Sequence, residues 1–63
     1  MTEELQEKIE EIATHVFYNV GEKTEIAKEK IDAWIEIQCF LGEITKEQLE
    51  ETKDYAEACI MDI

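Results

Sequence analysis

His15 is the one histidine of the chain, and Glu11 and Asn19 stand four residues to either side of it. On a helix that spacing puts all three on one face, so Glu11 and His15 could offer two ligands to a metal ion. A protein metal site needs three or four ligands, and no second cluster is apparent in the sequence. The expectation is an ordinary, partly exposed histidine and no metal. Cys39 and Cys59 are the only cysteines, too far apart for a CxxC metal or redox motif. If the chain doubles back at Gly42–Ile44, Cys39 comes level with about Gln48. Cys59 then lies roughly 16 Å further along a helix. A disulfide requires Cα atoms within about 7 Å, so two reduced, buried thiols are expected.

Carboxylates are the remaining chemical groups in quantity. The chain has 17 acidic residues against 6 basic ones, every basic one a lysine, and it has neither serine nor arginine. General acid catalysis needs a carboxyl desolvated in a cleft, and 63 residues leave little volume for one. The composition therefore points away from an enzyme and away from a bound cofactor. Glu36, the acid deepest in an apolar run, is expected to face solvent beside Asp32.

The distribution of acids is itself informative. Glu3–Glu7, Glu7–Glu11, Glu25–Glu29, Asp32–Glu36, Glu47–Glu51 and Glu50–Asp54 all place like charges four residues apart. Each such pair costs a helix a few tenths of a kcal/mol. A net charge of -11 excludes direct binding to nucleic acid or to anionic lipid and suits a basic protein partner. Glu7, Glu11, Asp32, Glu36, Glu47, Glu51 and Asp54 are the candidate partner-facing acids. The bland alternative is that they only keep the protein soluble.

Helices must carry these groups, because the chain contains no proline and only two glycines, Gly21 and Gly42. The first helix is predicted over about Glu3–Asn19, with Thr2 as N-cap and Gly21 as a left-handed stop. Its apolar residues Leu5, Ile9, Ile12, Ala13, Val16, Phe17 and Val20 share one face. The second is predicted over about Glu25–Leu41, capped by Thr24 and ended by Gly42. The third is predicted from about Lys46 to Ile60 or beyond, with a capping box between Thr45 and Gln48 and a hydrophobic staple between Ile44 and Leu49. Its inner face is Leu49, Thr52, Ala56, Cys59, Ile60 and Ile63, with Tyr55 at the edge. Both connections are short, which favours antiparallel neighbours.

Ile31–Leu41 is the organising stretch. Only Asp32, Glu36 and Gln38 interrupt its apolar residues, so the helix is apolar on most of its circumference. Such a helix is buried on more than one side. Two short neighbours cover one broad side, and a chain this small lacks other staples, so a second copy is expected to cover the rest. Trp34, Ile35, Ile37 and Phe40 are the candidate interface.

The sequence thus predicts one all-α domain, residues 1–63, an up-down-up three-helix bundle that self-associates as a homodimer through its second helix. It has no stretch to span a membrane and no secretory signal, so a cytoplasmic location is expected. The expected role is a non-enzymatic interaction module, an inhibitor or adaptor that docks on a basic surface of a larger protein, for instance a nucleic-acid-binding one. The alternative is a structural homo-oligomer with no separate target.

Overall fold

Thr2 turns the chain into its first helix: the Leu5 amide donates to Thr2 Oγ1 at 3.2 Å, satisfying one of the amides that a helix start leaves unpaired. The computed structural model describes residues 1–63. It contains α1 (Glu3–Asn19), α2 (Thr24–Phe40), a 3-10 turn at Lys46–Gln48, and α3 (Leu49–Met61), and no strand. The molecule is all-α, with principal extents of 30 × 20 × 15 Å.

The two glycines end the first two helices by one device. Gly21 (φ 69°) and Gly42 (φ 85°) are both left-handed. In each case the glycine amide and the next amide bond back into the final helical turn. Gly21 donates to the Tyr18 carbonyl and Glu22 to the Phe17 carbonyl; Gly42 donates to Cys39 and Glu43 to Gln38. These are two Schellman caps. Glu22 also has positive φ (62°), which costs a side-chain-bearing residue roughly 1–2 kcal/mol and sharpens the first turn.

α2 starts and ends one residue earlier than the sequence suggests. Thr24 is its first helical residue and not its cap; extended Lys23 takes the cap position, without a side-chain bond. The left-handed Gly21 and Glu22 have already turned the chain out of α1, so the helix can begin at once. The capping box at the last helix is present in both directions, with Gln48 amide to Thr45 Oγ1 at 3.2 Å and Thr45 amide to Gln48 Oε1 at 3.4 Å. The turn it closes is 3-10, and α3 proper begins at Leu49. Ile44 is buried, with Leu49 packed against the same core, as a staple requires.

One core holds the helices together: Ile9, Ala13 and Phe17 from α1, Ala27, Ile31 and Ile35 from α2, Ile44 from the second turn, and Ala56 and Ile60 from α3. α3 contributes one small and one large residue to it, and buries Thr52 beside them. Ile63, expected inside, is exposed because the helix ends at Met61. Thr52 is fully buried and its Oγ1 has no hydrogen-bond partner. An unpaired buried hydroxyl is costly, whereas an apolar group of the same shape is not. Thr52→Val should therefore stabilise the protein by about 1 kcal/mol, which is roughly 4–8 °C for a chain of this size. Calorimetry of the two proteins checks this. A lower melting temperature for Thr52→Val would mean that the hydroxyl is satisfied in solution.

Candidate functional site

α2 carries three different surfaces, and each positions a different set of candidate residues. Ala27, Ile31 and Ile35 recur every four residues and point into the core. Ile26, Ala33, Ile37 and Phe40 recur at spacings of seven, four and three and lie on the opposite side, all exposed. Phe40 is 90% exposed, Leu41 63% and Ile37 55%. Ala33, Ile37 and Phe40 make a short apolar strip, about 10 Å at the helical rise, and Ile26 lies two turns further back, beyond Glu29 and Lys30. Glu29 and Glu36 border this side on one edge and exposed Lys30 on the other, and Glu43 stands beyond its end in the turn. Of the residues expected at an interface, Ile37 and Phe40 are thus exposed and Trp34 is half-buried. Ile35 is a correction: it is 0% exposed and belongs to the core. Helical phase explains this, because Ile35 lies four residues after Ile31 and so shares its inward direction.

The polar stripe of α2 forms the second surface, and here too the expectation is corrected. Asp32 does not face solvent. It is half-buried against α3, where the Glu57 carboxylate faces it. Two carboxylates have no proton to share at neutral pH, and Asp32 Oδ1 has no hydrogen-bond partner. Burial, then Glu57, pushes the Asp32 carboxyl up to about 6, with Glu36 adding to the rise and Lys53 opposing it. One turn along, Lys53 Nζ donates to Glu36 Oε1 at 2.9 Å. The ammonium end of Lys53 is held above its ordinary value chiefly by that bond. Counting backward along α2 from Glu36 to Asp32 therefore meets counting forward along α3 from Lys53 to Glu57.

Trp34 stands at the margin of the third surface. A cleft of about 250 Å³ opens beside it, walled by the start of α1, the end of α2 and the turn into α3. Leu5, Trp34 and Ile44 give it an apolar floor, and Glu4, Lys8, Gln38 and Glu43 are among its polar walls. The Lys8 ammonium sits 5.9 Å from the centre of the Trp34 ring, a cation over an aromatic face. A second cleft, about 210 Å³, lies between α1 and the end of α3 at Glu10, Thr14, Cys59 and Asp62. Burial there raises the Cys59 thiol. Burial also pushes the Tyr55 hydroxyl up to about 12, aided by the Cys59 thiol and the Glu10 carboxylate.

The remaining candidates are dispersed. Glu7 and Glu11 are exposed on α1, Glu47 on the 3-10 turn, and Glu51 and Asp54 on α3. Glu36 is exposed but ion-paired. His15 is exposed, and no group of three or more His, Cys, Asp or Glu side chains is arranged to hold a metal ion. Cys39 and Cys59 are free, and both are half-buried where fully buried thiols were expected. No helix is long and apolar enough to cross a membrane.

Comparison of the chain with protein-family models, with curated proteins and with solved structures finds no match.

Proposed function

We propose that this chain is a non-enzymatic protein-interaction module, an adaptor or inhibitor whose α2 ridge docks on a basic surface of a larger protein. The observation that carries the reading is Phe40. A phenylalanine 90% exposed, adjoining Ile37 and Leu41, exceeds what a surface needs and marks a place where another protein sits. The acids beside it and the net charge of -11 select the partner: they attract a cationic surface and speed its approach. The fit is an apolar contact to the ridge with lysines or arginines at its margin, a mode in which helices commonly dock.

The α2–α3 pairings and the two short turns support an up-down-up arrangement of the helices, which leaves the outer side of α2 uncovered. A homodimer through that same side is the second reading. It is favoured by the heptad-like spacing of Ile26, Ala33, Ile37 and Phe40. One argument ranks it second: each copy carries a charge of -11, so pairing opposes strong repulsion.

A synthetic amphipathic peptide of leucine and lysine tests the first reading, and sedimentation equilibrium of the protein alone tests the second. The peptide should bind at low salt and release at high salt, and Phe40→Glu should abolish binding while leaving the helical fold intact. Binding that survives both high salt and Phe40→Glu would remove the ridge from the function. Self-association that Phe40→Glu abolishes, with no peptide binding, would install the homo-oligomer in its place.

A further inference from the structure

The Trp34 cleft has a chemistry distinct from the ridge. Trp34 lines it together with Leu5 and Ile44, and two carboxylates, Glu4 and Glu43, stand at it with the amide of Gln38. Neither carboxylate is spent on an internal ion pair, since Lys53–Glu36 is the one salt bridge in the molecule. Lys8 stands four residues after Glu4, the usual spacing for a helical ion pair, yet its ammonium lies over the Trp34 ring. The ring face therefore already accepts a cation, and the acids around it are left to a visitor.

Size and charge restrict that visitor. At about 250 Å³ the cleft is smaller than the roughly 300–1,000 Å³ of sites for drug-sized ligands, so it suits one side chain better than a cofactor. An anion would meet two carboxylates against one ammonium. A lysine would bring a single compact charge to a ring that has one beside it. An arginine brings a flat cation that stacks on the indole and five N–H donors that fan out in its plane toward carboxylate and amide oxygens. The chain has no arginine of its own, so neither this molecule nor a second copy can fill the site.

We propose that the cleft beside Trp34 binds the guanidinium of an arginine side chain from a basic protein partner, stacked on the indole and paired with Glu4 and Glu43. The proposal rests on the reading of the chain as an acidic docking module and adds a specific anchor point to it. Lys8 acts as a placeholder, occupying the ring until the arginine displaces it.

Trp34 is the only tryptophan, so its fluorescence reads the cleft directly. The probe is a blocked Gly-Arg-Gly peptide, with Gly-Lys-Gly and Gly-citrulline-Gly as comparisons. The arginine peptide should shift the emission saturably, the lysine peptide should bind about tenfold more weakly, and citrulline should have no effect. Glu43→Gln and Glu4→Gln, both exposed, should each weaken arginine binding several-fold, whereas Lys8→Gln should tighten it. Glu25→Gln removes one negative charge at the start of α2, far from the cleft, and should leave arginine binding unchanged. Equal weakening by Glu25→Gln, or equal binding of the lysine and arginine peptides, would overturn the site and leave only general charge attraction. The leucine–lysine peptide separates the two levels of the argument. If it binds the ridge and is lost with Phe40→Glu while the arginine peptide leaves Trp34 unmoved, the cleft is refuted and the module stands. If neither peptide binds, both are refuted.

Discussion

Asp32→Asn should raise the melting temperature near neutral pH and leave it almost unchanged at about pH 4. The cause is the seam between α2 and α3, where the Asp32 carboxyl is pushed up to about 6 by burial and by Glu57. An acid whose folded value lies above its unfolded value binds its proton more tightly when folded. The stability it contributes is complete below the unfolded value, about 4, and is lost as the pH rises through the folded value, about 6. Above that, the folded state must hold an ionised Asp32 facing an ionised Glu57. Asparagine keeps the shape, removes the charge and can donate a hydrogen bond to Glu57. The full shift corresponds to about 3 kcal/mol at 1.36 kcal/mol per unit. Asp32 is only half-buried, and solvent and Lys53 screen it, so about 1–2 kcal/mol is the expected gain. That is roughly 5–15 °C for so small a chain. Parallel thermal melts of the two proteins across this pH range make the test, because titrations away from the seam cancel in the difference. A gain of the same size at both ends of the range would mean that charge at Asp32 is not its source.

This seam shows what the sequence could and could not yield. Caps and stops were readable, except the expected Thr24 cap, because each is decided within a few residues. Thr2, Gly21, Gly42 and the Thr45–Gln48 box all act where local rules place them. The inward direction of α1 was readable too, because its acids and its apolar residues separate cleanly. α2 offered no such contrast. With apolar residues on nearly every side between Ile31 and Leu41, composition alone cannot say which of them turn inward. The deciding signal lies on another helix. Lys53 and Glu57 are a polar pair four apart on α3, matching Asp32 and Glu36 four apart on α2. Folding the chain back at Gly42 brings the two pairs level. Once they face each other, the phase of α2 follows, with Ile31 and Ile35 inward and Ile37 and Phe40 outward. The Trp34 cleft was beyond such reasoning, because its walls come from three separate segments and depend on where Lys8 settles.

The same phase predicts the largest single effect in the molecule. Ile35→Ala should unfold the protein, or nearly so, whereas Phe40→Ala should leave its stability within about 0.5 kcal/mol of the parent. The two residues are five apart on one apolar helix, and both were expected at an interface. They differ in that Ile35 is 0% exposed and Phe40 90% exposed. Truncating a buried isoleucine to alanine removes transfer energy and leaves a cavity, together about 2–5 kcal/mol. A chain of 63 residues has roughly 3–9 kcal/mol of stability in total, at 0.05–0.15 kcal/mol per residue. Ile35→Glu, which would bury an unpaired charge beside the existing acids of the seam, should abolish the helical signal altogether. Phe40→Ala removes surface that is already in water, so it should change partner binding and little else. Circular dichroism during thermal melts separates the two variants. An Ile35→Ala protein that melts within a few degrees of the parent, or a Phe40→Ala protein that does not fold, would require α2 to be turned about its axis from the orientation described. The apolar ridge, its acidic margin and the Trp34 cleft would then all have to be redrawn.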